Sequence, residues 1–169
     1  MDAAPFTLGE DGDLVATQSA EELLPHLIAL ASQARRRVQI FSPELSSVLY
    51  GDADFVAALA HSARDSRHLR IEILLGNPQS TLARGHQLVL LAQQLSSSIE
   101  IRRTHKDFHN LGSDYLLADA RAYVLRKNAS RFDAETCYND PLTVDGLGKQ
   151  FSQVWEASTR EREFLRLHI

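Results

Sequence analysis

Helical and strand periods alternate along the first hundred residues. Leu23, Leu24, Leu27, Ile28, Leu30 and Ala31 fall at helical spacing, and Ser19 with Glu22 forms a capping-box pattern ahead of them. Pro25 lies beyond the first turn of that helix, which predicts a kink or a later start. Arg35 to Arg37 end it, and Val38 to Phe41 reads as a short strand closed by Ser42-Pro43. Asp52 or Asp54 caps a second helix with Phe55, Val56, Leu59 and Ala60 on one face. Leu69 to Leu75 is a clear strand, stopped by Gly76-Asn77-Pro78. A third helix spans about His86 to Leu95, with Leu88, Leu91, Ala92 and Leu95 as its buried stripe. Ser98 to Arg103 alternates Ile99 and Ile101 with polar residues, as a strand does.

The second part of the chain changes character. Tyr115 to Ala118 and Ala122 to Leu125 are strands joined by the tight turn Asp119-Ala120-Arg121, so they predict a hairpin. Glu135 to Tyr138 adds a strand, and Leu142 to Ser158 a final helix carrying Phe151, Val154 and Trp155. Asp13 to Ala16 is a candidate edge strand, and Thr104 to Ser113 a polar connection. The alternation predicts an α/β layered fold: a mixed, mostly parallel sheet flanked by helices.

Length and composition narrow this further. The 169 residues suit one domain, read as residues 18–169 behind an N-terminal extension of residues 1–17. A hydrophobic fraction of 44% and a charged fraction of 24% exclude wholesale disorder. Cys137 is the only cysteine, so an internal disulfide and a cysteine zinc site are excluded. No apolar run approaches the ~20 residues of a membrane span, and Met1 to Glu10 lacks the features of a signal peptide. A cytoplasmic protein without a membrane partner is expected. The net charge is −4 and the basic residues are mostly arginine, clustered at 35–37, 64–70 and 102–103. Nucleic acid is therefore not the expected partner.

Three groups of residues carry candidate chemistry. Ligands of open α/β sheets sit beyond the carboxyl ends of the strands. There Ser42, Pro43 and Glu44 meet Gly76, Asn77 and Pro78, and with Arg102 or Arg103 they predict a pocket mouth. His86, at the start of the third helix, predicts an anion site built from free backbone N–H groups and the imidazole. His105, Asp107 and His109 would share one face if extended, and with Asp114 they could ligate zinc, iron or manganese. Trp155 and Cys137 read as buried packing residues. No cofactor is called for.

The run Asp114-Tyr115-Leu116-Leu117-Ala118-Asp119, the following strand, Glu135, Asn139-Asp140-Pro141 and Phe151-Ser152-Gln153-Val154-Trp155 together resemble one half of a phospholipase D-type fold. In that superfamily a strand carries His-x-Lys, four further residues and Asp, and a second strand leads to Gly-Ser and Asn. A Glu-bearing strand, an Asp-Pro turn and a helix ending in Phe-x-x-x-Trp follow. The resemblance covers roughly Arg35 to Ser158. More narrowly, Gly85-His86-Gln87-Leu88, Leu91 to Ser97, Ile99 to Arg102 and the tail Phe164 to Ile169 resemble an uncharacterised bacterial domain family within it. Members of that family carry the domain alone or after an acetyltransferase-type domain, and this chain's length suits the former.

The resemblance implies a reaction that these residues lack. It calls for a histidine nucleophile on phosphorus, a second histidine as acid, Lys and Asn holding the phosphate, and Asp fixing the imidazole. None of the seven histidines is followed two residues later by lysine. Placing Asp119 at the motif Asp puts Gly112 where the His belongs and Asp114 where the Lys belongs. A carboxylate there repels phosphate. His105-Lys106-Asp107 has the letters at the wrong spacing, because strand neighbours point to opposite faces. The expectation is a catalytically inactive phospholipase D-like domain that binds or dimerises. Single-half members of the superfamily pair as homodimers; a phosphorylated small molecule or a protein is the other expected partner. The alternative is a divergent, metal-dependent phosphodiesterase or nuclease using His105, Asp107 and His109.

Overall fold

The computed structural model describes residues 6–76 and 85–160, with the side chains of Thr159 and Arg160 left aside. Asn77 and Pro78, expected at the pocket mouth, and the tail Phe164 to Ile169 lie outside the described residues. Among the described residues eight strands form one sheet: β1 (Val15–Thr17), β2 (Arg37–Ser42), β3 (Arg70–Leu75), β4 (Ile99–Arg103), β5 (Asp114–Ala118), β6 (Ala122–Arg126), β7 (Ala134–Cys137) and β8 (Thr159–Arg160). Their order across the sheet is β1-β7-β6-β5-β2-β3-β4-β8. The helices are α1 (Ala20–Gln33), α2 (Ala53–Asp65), α3 (Gln87–Gln94) and α4 (Pro141–Ala157), with a 3-10 turn at Lys106–Phe108.

The α/β class and the mixed sheet agree with the sequence reading, but the balance of directions does not. Only β2–β3 and β3–β4 pair parallel, while β1–β7, β7–β6, β6–β5, β5–β2 and β4–β8 are antiparallel. The helical crossovers end with β4. From β5 to β7 the strands are joined by short connections and run antiparallel, while β8 follows α4 and pairs antiparallel with β4.

Alternation along the strands sorts the core into two layers. Val38, Ile40, Ile71, Ile73, Ile99, Ile101, Leu116 and Val124 face α1, α2 and α3. Phe41, Leu74, Tyr115, Leu117 and Tyr123 face the other way, onto Val144, Phe151 and Val154 of α4. Cys137 and Trp155 pack in this second layer, buried and partly buried respectively.

Local rules explain the element ends. Ser19 caps α1 by accepting from the Glu22 N–H at 3.1 Å, as the capping box predicts. The helix continues through Pro25 without a later start. Asp140 caps α4 by accepting from the Thr143 N–H and hydroxyl, and these bonds hold its carboxyl below the usual range. Pro141 follows at the first helical position, where its missing N–H costs nothing. The β5–β6 turn places Asp119 and Ala120 at φ +53° and +57°, the two left-handed positions of a tight hairpin.

The segment before α1 is packed onto the domain. β1 pairs with β7, and Phe6 stacks on Tyr138 with ring centroids 5.1 Å apart. Tyr138 shares a 2.8 Å hydrogen bond with Nδ1 of buried His26.

His26 and His86 are both buried, and desolvation lowers the pKa of each. The folded state therefore holds them neutral where the unfolded chain, titrating near 6.5, takes up protons. Their contribution to stability is complete above pH 6.5 and declines below it. Urea unfolding should show a midpoint that falls between pH 7.5 and 5.5, with a smaller fall in His26→Gln. Equal falls in the two proteins would exclude a contribution from His26.

Candidate functional site

The parallel strands β2, β3 and β4 end on one edge of the sheet, and β5 begins there. Two features occupy this edge: a buried ionic cluster and, beside it, a cavity.

Asp114 opens β5 and Arg126 closes β6, and the two are direct cross-strand partners. Parity makes both point inward. Asp114 shares a face with core residues Leu116 and Ala118, and Arg126 with Ala122 and Val124. The guanidinium reaches the Asp114 carboxylate at 2.7 Å, with both side chains at most 4% exposed. The hydroxyls of Ser42 and Tyr50 donate to the same carboxylate at 2.5 and 2.6 Å. Arg126 also donates to the carbonyls of Ala129 and Arg131, pinning the loop after β6. Burial pushes the Asp114 carboxyl up, while Arg126 and the two hydroxyls pull it back. The Tyr50 phenol is pushed well above its ordinary range, by burial first and by the Asp114 charge next.

The loop after β2 is held in a costly conformation. Leu45 adopts φ +49°, which a branched side chain rarely does. Ser42 Oγ accepts from the Leu45 N–H at 3.0 Å, and His86 Nε2–H donates to the Leu45 carbonyl at 2.9 Å. His86 Nδ1 in turn accepts from the Leu88 N–H, so the imidazole caps α3. Both ring nitrogens are spent within the chain, which corrects the expectation that the imidazole receives an anion.

The cavity has a volume of about 200 Å³ and is lined by Phe41, Pro43, Glu44, Gly76, Thr104, Phe108, His109 and Gly112. The loops after β2 and β3 cross closely here. A Cβ on Gly76 would lie 2.9 Å from the Pro43 carbonyl oxygen, so only glycine fits. His109 donates through Nε2 to the Thr104 carbonyl at 2.9 Å, leaving Nδ1 as an acceptor.

The expected pocket mouth is thus present in part. Glu44 lines it, exposed, whereas Ser42 is buried behind it in the ionic cluster. Arg102 lies elsewhere, on the α4 face, paired with Glu100 at 2.6 Å, donating to the Trp155 carbonyl and stacked 4.2 Å from the Trp155 ring centroid. Arg103 is exposed at the end of β4. The metal set is not assembled. His105, Asp107 and His109 do not run extended, because residues 106–108 form the 3-10 turn and His105 caps it. His105 and Asp107 approach to 3.5 Å, His109 turns to Thr104, and Asp114 is enclosed by Arg126. No cluster of three such ligands occurs among the described residues. Asp119 is the turn residue expected: its carboxylate accepts from the N–H groups of Arg35, Arg36 and Arg37 at 2.8–2.9 Å, clamping the hairpin to the start of β2.

Sequence reasoning missed Tyr50 and Arg126. Arg126 left a signal: strand parity puts it on the same inward face as Ala122 and Val124. Tyr50 left none, since it sits in a loop.

Sheet order, helix layers and the edge with its central hairpin define a phospholipase D-like fold. Nuc of Salmonella typhimurium, a phospholipase D family member, superposes with a TM-score of 0.63 at 12% identity over 89% of this chain and 99% of its own. The phosphatidylserine synthase of Haemophilus influenzae Rd KW20 gives 0.61 at 12% identity, covering 93% of this chain but 41% of the synthase. TrmBL2, an archaeal chromatin protein with a DNA-binding mode of its own, gives 0.64 at 10% identity, covering 88% of this chain and 53% of TrmBL2. The chain thus spans about half of TrmBL2 and less of the synthase. A search of curated proteins finds no match. The chain belongs to the family described as "Domain of unknown function (DUF7931)", whose family model matches residues 19–167.

Removing one partner of a buried ion pair costs about 3–5 kcal/mol, while replacing both with apolar groups costs far less. Arg126→Met should lower the unfolding free energy in urea by about that amount. Adding Asp114→Leu to Arg126→Met should recover part of it. A single variant as stable as the wild type would contradict the ionic cluster.

Proposed function

We propose that this chain is a catalytically silent phospholipase D-like domain that acts as a binding or dimerisation module. One observation carries the reading: the Asp114–Arg126 ion pair, closed by Ser42 and Tyr50, fills the sheet edge where the superfamily pattern puts its phosphate-holding lysine. Asp114 occupies the lysine's place and Gly112, at φ +72°, the place of the histidine nucleophile. The second strand ends in Arg126-Lys127 where the pattern has Gly-Ser. A phosphodiester entering here would meet a carboxylate already neutralised by the nearest guanidinium, and a glycine where the pattern has its nucleophile.

The metal-dependent alternative has weaker support, since His105, Asp107, His109 and Asp114 are not gathered at one point. Binding of nucleic acid by the arginine clusters is also disfavoured: the net charge is −4, Arg37 pairs with Glu72 and Arg102 with Glu100. The partners that fit the reading are a second copy of the chain, a protein, or a phosphorylated small molecule met at the cavity rim. A cytoplasmic setting suits it, and no helix among the described residues is long and apolar enough to cross a membrane.

The test is hydrolysis of bis(p-nitrophenyl) phosphate by the purified chain, with and without magnesium, manganese or zinc. The expected rate is that of buffer under every condition. Turnover that EDTA abolishes and His109→Ala removes would overturn this reading in favour of the metal-dependent one.

A further inference from the structure

The edge of the sheet opposite the cavity collects arginine. Strands β2 and β3 begin there, just after the ends of α1 and α2, and the β5–β6 turn lies beside them. Hydrogen bonds knit these pieces together. The Asp119 carboxylate accepts from the N–H groups of residues 35–37, the Ser66 hydroxyl donates to the Arg35 carbonyl, and the Arg70 N–H donates to the Arg36 carbonyl. Residues 35–37, 64–70 and 119–121 therefore form one surface. It carries seven arginines, all exposed, in a chain whose carboxylates outnumber its lysines and arginines by 22 to 18.

Three of the seven are used within the chain. Arg35 donates to the Ser32 and Ala34 carbonyls at the end of α1, Arg70 donates to the Ser97 carbonyl, and Arg37 lies 3.8 Å from Glu72. The guanidinium groups of Arg36, Arg64, Arg67 and Arg121 have no hydrogen bond or ion pair among the described residues. Arg64 stands in the last turn of α2, where a cation suits the helix dipole, but Arg36, Arg67 and Arg121 have no such task. The neighbouring carboxylates are engaged elsewhere. Glu72 belongs to Arg37, Asp119 serves three backbone N–H groups, and Asp140, whose N–H donates to the Arg121 carbonyl, caps α4. Among the described residues of this surface, Asp65 is left to face four guanidinium groups.

We propose that this arginine edge docks a short acidic segment of a partner protein. The inference rests on the binding reading above and gives that reading a partner of stated chemistry.

The make-up and size of the patch select this occupant among polyanions. The patch is all arginine, whose planar fork takes a carboxylate through two parallel bonds. Arginine is enriched and lysine depleted at protein interfaces. The patch is also narrow. The ends of β5, β2 and β3 are neighbours, so they span two inter-strand gaps, about 10 Å. Three residues of extended chain cover that distance, at ~3.3 Å each. Contacts to one groove of a nucleic-acid duplex recur only after a helical turn of ~34 Å. Beyond the patch the chain is acidic, so it repels a duplex or an anionic bilayer that extends past these arginines. An apolar foothold adjoins the charges: Leu142, 84% exposed, lines the same depression as Arg37 and Ala120.

Fluorescence anisotropy of labelled oligoglutamate, titrated with the full chain at low salt, tests this. A labelled DNA duplex and phosphatidylserine vesicles serve as competing probes. Oligoglutamate should bind, and more weakly as salt rises. Combining Arg36→Glu with Arg67→Glu should lower the affinity about tenfold or more. Both side chains are exposed, and circular dichroism should show the fold intact. Arg131→Glu, exposed in the loop after β6, should bind as the wild type does. Oligoglutamate that fails to bind, or that binds the double variant as tightly as the wild type, overturns the docking surface. A duplex or vesicles held more tightly than oligoglutamate through Arg36 and Arg67 overturn the choice of partner. Each of those results leaves catalytic silence standing, because the hydrolysis assay decides it separately.

Discussion

Burying Asp114 and Arg126 on one rung of the β5–β6 hairpin removes two ions from water, at a cost of several kcal/mol each. The surrounding structure offsets this by directing four polar groups at the pair from three places. Ser42 comes from the end of β2, Tyr50 from the loop before α2, and the carbonyls of Ala129 and Arg131 from the loop after β6. Each of those segments is thereby fixed. Ser42 also holds Leu45 in its left-handed conformation, His86 grips the Leu45 carbonyl, and the same imidazole caps α3. The chain of contacts runs from the sheet interior to the third helix with no ring nitrogen of His86 left for a ligand.

The arrangement decides what the edge can do. The cavity that remains lies beside the ion pair, floored by Phe41 and walled by Glu44 and His109. Its described walls carry no arginine or lysine that would draw in a phosphate. The opposite end of the hairpin follows a different logic. There Asp119 satisfies three consecutive backbone N–H groups and ties β2 to the turn, a structural task that needs an aspartate and no active site. The likeness to Nuc and to the synthase is thus one of fold, at 12% identity in both cases.

Much of the fold was legible because its signals are local. The capping box at Ser19, the Ile99–Ile101 alternation and the Asp119 turn each name an element without reference to distant residues. Strand direction was not legible to the same degree. Nothing near β5 in sequence says that it enters the sheet beside β2 and antiparallel to it. The site was harder still. Ser42 and Glu44 stand two residues apart in the chain, yet one is sealed in the ionic cluster and the other is open to the cavity. Asp114 reads as a polar residue at the end of a loop until its cross-strand partner is known. His105, Asp107 and His109 share a face only if extended, and the 3-10 turn removes that premise.

The central claim is that the ion pair closes the phosphate position of the fold. Amide chemical shifts of the isotopically labelled chain, followed while inorganic phosphate is added to millimolar concentration at constant ionic strength, test it most directly. The account predicts that the amides of Ser42, Gly112, Asp114 and Arg126 do not move. A saturable shift at those four amides would contradict it.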